Sequence, residues 1–259
     1  MEAERTAASE KTIKALLEIS HRSFVPIRRG LVCAARKPEA NRTPSAAAPR
    51  PPLAQMVRHR DVRALDFYLL ILAKASAGEF DVTLHAAVWA RALDVWGKSK
   101  DAAVSKTLAH LVGYKLVARD RRGRLAHVML CREDGSGDPY TRPGQPGDGY
   151  LKLSHRYWED RWHTELSLPG KAALLVSLSM PADFFLTLEH APRLFGIAAD
   201  TLDDGVRELC DFHLLERTLH YEDAPLSPTG RRRQDRYRLL PPFEKQPQTR
   251  PHSSTAEGT

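Results

Sequence analysis

Between Lys98 and Arg124 the chain carries eight cations, Lys98, Lys100, Lys106, Lys115, Arg119, Arg121, Arg122 and Arg124, against two acids, Asp101 and Asp120, a local charge of +6. Ammonium and guanidinium groups at this density suit a row of phosphates, and the hydroxyls of Ser99 and Ser105 add donors that can reach phosphate oxygens or base edges. A second basic run, Arg231, Arg232 and Arg233, stands in an acidic setting. From Ile197 to Asp235 five cations face nine acids, a local charge of −4. Residues 21 to 60 hold nine further cations (Arg22, Arg28, Arg29, Arg36, Lys37, Arg42, Arg50, Arg58, Arg60) and one acid, Glu39. That +8 exceeds the +7 of the whole chain, whose 259 residues give a pI near 9.4, so an anionic partner is expected.

Covalent chemistry has no comparable footing. The sequence lacks G-x-x-x-x-G-K-[ST], G-x-G-x-x-G, H-E-x-x-H and G-x-S-x-G. None of its 11 histidines forms the H-x-H or H-U-H triplet that a DNA-nicking enzyme would want beside a nucleophilic tyrosine. His127 with Cys131, and Cys210 with His213, are pairs, and two ligands do not make a metal site. The expectation is a protein that is not an enzyme and needs no cofactor or metal. Three scattered cysteines, Cys33, Cys131 and Cys210, suggest a reduced, cytoplasmic chain. The longest apolar runs, such as Leu69 to Ala73 and Ala172 to Val176, are far shorter than the roughly 20 residues of a membrane span.

Two stretches rich in proline or glycine, 36 to 52 and 132 to 149, cannot hold regular structure for long and divide the chain. The reading is a basic, Pro-rich arm over 1–52, a compact unit over 53–131, a Gly/Pro linker over 132–149, a second unit over 150–243 and a frayed, disordered tail over 244–259. In the first unit, Val62, Leu65, Leu69, Leu72 and Ala73 share one face of a helix from Val62 to Ala75 that Gly78 ends. An extended Phe80 to Thr83 follows, then a helix from Leu84 to Leu93, and a third from Ser99 to Gly113 with Val104, Leu108 and Leu111 inward. A hairpin of Lys115 to Arg119 and Leu125 to Cys131 closes the unit around the turn Asp120 to Gly123.

The second unit repeats this order. Sliding the first by 98 residues lays Val104, Leu108, Leu111, Tyr114, Leu116, Val117 and Arg119 on Leu202, Val206, Leu209, Phe212, Leu214, Leu215 and Arg217 without a gap. Lys171 to Ser179 stands for the first helix and Leu188 to Phe195 for the second. Leu215 to Tyr221 and Arg236 to Leu240 flank a longer wing around Pro225 to Arg233. Three helices followed by a β-hairpin resemble the winged helix-turn-helix, and the tandem pair resembles bacterial DNA-binding regulators and plasmid-type replication initiators. The fold class expected is therefore α+β, mainly helical, with two tandem winged-helix domains.

The resemblance implies that the third helix enters the major groove and that the wing touches the backbone or minor groove. Charge then assigns the roles. Lys98, Ser99, Lys100, Ser105, Lys106, Arg119, Arg121, Arg122 and Arg124 make the first unit the expected reader of double-stranded DNA. Asp200, Asp203 and Asp204 crowd the start of the second unit's third helix, where they suit the helix dipole and repel a phosphate groove. That leaves Arg231, Arg232 and Arg233, at the tip of its wing, as the second unit's contact, whether as a clamp on DNA or as part of a protein-interaction module. Trp158 and Trp162, four apart, are expected to pack on the core. A transcriptional regulator is the role expected first, with a plasmid initiator or maintenance protein and a protein-interaction scaffold as alternatives. The oligomeric state stays open.

Overall fold

The computed structural model describes residues 2–18, 22–33, 50–75, 79–122, 125–144, 149–223, 225–226, 228 and 230–245, with the backbone alone at 121, 122, 232 and 233. It is an α+β protein with small antiparallel sheets. The chain opens with α1 (Glu2–Leu17), β1 (Phe24–Arg28) and α2 (Pro52–Arg58), and α2 leads into α3 (Val62–Ala75). Then come β2 (Asp81–Leu84), α4 (Ala86–Ala92), α5 (Lys100–Gly113), β3 (Val117–Arg122) and β4 (Leu125–Leu130). The second half comprises β5 (Tyr150–Ser154), α6 (Arg156–Glu159), α7 (Trp162–Glu165), α8 (Leu168–Ser179), β6 (Asp183–Phe185), α9 (Ala191–Leu194), α10 (Ala199–Asp211), β7 (Leu215–Asp223) and β8 (Arg231–Leu239). Among the described residues no helix is long and apolar enough to cross a membrane.

Two helices are apolar almost all the way round and so sit at the centres of their halves. In α3 the side chains from Phe67 to Ala73 are all buried, and in α8 those from Gly170 to Ser179. Around each, the order of elements is the same: helix, strand, helix, helix, strand, strand. The sheets agree as well, β2-β4-β3 in the first half and β6-β8-β7 in the second, with the last strand in the middle each time. Inward residues of α5 are Val104, Leu108 and Leu111; those of α10 are Leu202, Val206 and Leu209. Gly205 lets α10 lie against the start of α8, since a Cβ there would stand 2.2 Å from the Pro169 carbonyl oxygen. Ser167 caps α8 by accepting from the Gly170 amide, and Glu208 of α10 accepts from the Ser167 amide at 2.7 Å.

Several boundaries differ from the sequence expectation. Leu84 belongs to β2 instead of opening the second helix, because its segment pairs with Ala126 of β4. Asp120 to Arg122, expected in the turn, continue β3, paired with His127 to Leu125. Leu188 to Phe195 is broken into a 3-10 turn, Leu188–His190, and the four-residue α9, with Pro192 at its start. β6 was not foreseen; it pairs Phe184 with Tyr237. Trp158 is buried and Trp162 half-buried against the Phe212 ring, so both pack.

The segment expected as an arm is largely folded where it is described. In α1, Ser9, Ile13, Leu16 and Leu17 are buried, and the Ser9 hydroxyl donates to the Ala92 carbonyl at the end of α4. β1 pairs antiparallel with β5, Phe24 opposite Ser154 and Arg28 opposite Tyr150. The stretch expected as a free linker is anchored too. Glu133 is 0% exposed; its carboxylate accepts from Arg28 Nη1 at 2.7 Å and from the Arg28 amide at 3.1 Å. Tyr140 lies under the Arg28 guanidinium and against Phe80. A charge pair and two rings thus hold a Gly/Pro-rich stretch that has little propensity of its own. The halves meet through Lys171 of α8, 3% exposed, whose Nζ donates to both carboxylate oxygens of Asp66 in α3 at 2.7 Å.

Candidate nucleic-acid interface

The amphipathic pattern of α5 fixes what it can offer a partner. With Val104, Leu108 and Leu111 inward, the side left to solvent carries Ala102, Ser105, Lys106 and Ala109. Lys98 and Ser99 are exposed just before the helix, and Lys100 is half-buried at its first residue. The N-terminal turn therefore presents Lys98 and Lys100 together with one carboxylate, Asp101, at the end where the helix dipole favours an anion. Small side chains along the exposed face leave room for a partner to approach the helix closely.

One exposed hydrogen bond runs from the hairpin to this helix. Arg119 of β3 donates from Nη1 to the Ser105 hydroxyl at 3.1 Å. Register puts Arg119 opposite Val128, and Val128 opposite Val82, on the sheet face that covers the core, so Arg119 lies between sheet and helix at the protein surface. Arg121 and Arg122 continue β3 opposite Ala126 and Leu125, and Arg124 lies outside the described residues. The structure thus brings together Lys98, Ser99, Lys100, Ser105, Lys106 and Arg119 around one helix.

A third group of cations joins them from outside the expected set. The turn after α2 sits on the last turn of α5: Asp61 meets His110 Nδ1 at 2.7 Å and accepts from the Tyr114 hydroxyl at 3.2 Å, and His59 contacts the same hydroxyl at 3.1 Å. Burial and the Asp61 carboxylate push the Tyr114 phenol up to about 12, so it stays a donor. Arg58, Arg60 and Arg63, all exposed, therefore flank the turn that packs on the C-terminal end of α5. The cation count over residues 21 to 60 had caught Arg58 and Arg60 but as part of an arm. Arg36, Lys37 and Arg42 of that count lie outside the described residues, and Arg28 is spent on Glu133.

The two halves differ most in what their cations touch. Among the described residues Lys98, Lys100, Lys106, Lys115, Arg58, Arg60, Arg63 and Arg119 form no ion pair. In the second half, Arg207 pairs with Asp203 and Asp204 on α10, Arg217 with Asp235, and Arg231 with Asp223 at 3.9 Å. Arg236 and Arg238 share Asp183, at 3.3 and 2.9 Å. Asp203 and Asp204 thus neutralise a neighbour one turn on, while Asp200 occupies the first turn of α10. Arg231, Arg232 and Arg233, expected on a loop at the wing tip, begin β8 instead, opposite Asp223, Glu222 and Tyr221. Alternation along β7, Leu-Glu-Arg-Thr-Leu-His-Tyr-Glu-Asp, gives β8 a nine-residue partner and draws the arginines into the ladder.

Set against models of protein families, curated proteins and solved structures, the chain matches none of them.

Proposed function

We propose that the chain is a sequence-specific double-stranded DNA-binding protein made of two tandem winged-helix units, with α5 in the major groove and the β3–β4 hairpin on the backbone. The observation that carries this reading is the contrast in charge pairing: among the described residues Lys98, Lys100, Lys106, Lys115 and Arg119 around α5 form no ion pair, while Arg207, Arg217, Arg231, Arg236 and Arg238 around the equivalent α10 and its hairpin are paired with acids of the same unit. Unpaired cations that neutralise phosphates release the counterions condensed on the duplex, which is the main sequence-independent term in binding DNA. The repeated order of elements, with the last strand central in each three-stranded sheet, supports the winged-helix assignment.

A transcriptional regulator is the role we infer; an initiator or maintenance protein of a plasmid or integrated element would use the same contacts. The second unit, with Arg207, Arg217, Arg231, Arg236 and Arg238 paired with acids and with Leu219 and Tyr221 exposed on β7, suits a protein contact. Selection from a random-duplex pool with the full-length chain tests the reading. Recovery of a sequence motif, lost when Lys100 and Lys106 are changed to alanine, is expected. A pool without a motif, or no retention even at low salt, would favour the scaffold. Genomic immunoprecipitation then separates the roles, since scattered promoter peaks and one origin-proximal peak belong to different jobs.

A further inference from the structure

β7 is the outer strand of its sheet, bonded only to β8 among the described residues, and every residue from Glu216 to Asp223 is exposed. Leu219 is 54% and Tyr221 59% exposed, both on one face of the strand. An edge of this length is a template for another strand, and proteins usually guard such edges with like charges or proline. The corresponding edge of the first unit is guarded: antiparallel self-pairing of β3 about Asp120 would set Arg119 against Arg121. β7 also carries charges, Glu216, Arg217, Glu222 and Asp223, but of both signs, so that Arg217 and Asp223 can pair across a two-fold axis.

We infer that β7 pairs antiparallel with β7 of a second copy of this chain, about a two-fold axis through His220, joining two three-stranded sheets into one of six strands. In this register Leu219 of each copy faces Tyr221 of the other, Arg217 faces Asp223, and Thr218 faces Glu222. Every non-identical pair is complementary, and symmetry makes each of them twice. Shifting the axis by one or two residues spoils the match: about Leu219 it sets Glu216 against Glu222, and about Thr218 it sets Arg217 against Leu219. The neighbouring strand already pairs Arg217 with Asp235 and Asp223 with Arg231, so the two intermolecular pairs extend an existing charge network. The partner chemistry is therefore that of the strand itself.

Sedimentation of the full-length protein at tens of micromolar, joined to cysteine cross-linking, tests both the association and its register. Wild type should sediment at twice the 29.0 kDa of the chain. Changing Leu219 and Tyr221 together to glutamate, which sets like charges opposite each other in both symmetry-related pairs, should return it to a single chain with an unaltered circular dichroism spectrum. Under mild oxidation His220→Cys should cross-link to itself, whereas Thr218→Cys and Glu222→Cys should do so only when mixed. A single-chain mass for wild type at a hundred micromolar overturns the proposal, as does a wild-type dimer that survives the double glutamate change. Cross-linking of Thr218→Cys alone, as fast as that of His220→Cys, overturns the register.

Discussion

Lys115 and His213 stand 98 residues apart and share one backbone conformation, left-handed, with φ of 58° and 55°. Each follows the last turn of the helix that precedes a β-hairpin. In both, the next amide reaches back to the fifth residue before it, Leu116 to the Leu111 carbonyl at 3.1 Å and Leu214 to the Leu209 carbonyl at 2.8 Å. These are helix C-caps of the kind usually given to glycine, because a Cβ disfavours the left-handed region. The repeat is therefore one of backbone geometry as well as of apolar positions.

Replacing His213 by glycine should relieve that conformation and stabilise the fold by about 0.5–1 kcal/mol, offset in part by the freer unfolded chain. For a chain of this size the melting temperature should rise by about 1–4 °C. Thermal denaturation followed by circular dichroism checks it, and a lower melting temperature would mean that the His213 ring makes a contact worth more than the backbone relief.

Removing the Glu133 carboxylate, as in Glu133→Leu, should cost about 3–5 kcal/mol, because it leaves the buried Arg28 guanidinium without its counter-charge. The fold loses its tie between β1 and the segment after β4. Chemical denaturation measures the loss. A change below about 1 kcal/mol would show that Thr141, whose carbonyl and hydroxyl accept from Arg28 Nη2, suffices to hold it.

His163 should make the fold sensitive to mild acid. Burial and the charges of Lys171 and Arg161 push its imidazole down from 6.5 to about 4. The folded protein holds this ring neutral while the unfolded chain takes up the proton, so stability is full above about pH 6.5 and falls as pH drops towards about 4. His163→Gln should flatten the stability profile across that window relative to wild type. Parallel profiles would place the acid sensitivity in other groups.

Much of this architecture was legible in the sequence because it rests on strong periodicity. The limits of α3 and α5 follow from apolar spacing to within a residue, and the 98-residue shift in the sequence already lays α5 on α10. What escaped is governed by long-range partners. β6 is three residues long, and only its pairing with β8 makes Phe184 part of a sheet. Glu133 and Tyr140 lie in a stretch whose composition reads as linker, and only Arg28, more than a hundred residues earlier, anchors it. The cations of the candidate site were visible as a count. Which of them are free, and that Arg63 stands with them, required the ion pairs and the packing of the turn after α2 on α5.

Arg231, Arg232 and Arg233 test how far the second unit shares in binding. Changing all three to alanine should leave the footprint on duplex DNA unaltered, since Arg231 is paired with Asp223 and all three lie in the β7–β8 ladder. A footprint shortened from one end would make the second unit a clamp on DNA.

The salt dependence of duplex binding tests the central claim most directly. Fluorescence anisotropy with a labelled random duplex, from about 50 to 200 mM salt, gives a slope that counts the phosphates neutralised, about 0.9 per contact. Wild type should show a slope of several units. Changing Lys98, Lys100, Lys106 and Arg119 together to alanine should lower it by about one unit for each lost contact, with the melting temperature nearly unchanged. Equal slopes and equal affinities for the two proteins, or no binding by wild type at the lowest salt, would contradict the assignment of α5 and its wing as a DNA-binding surface.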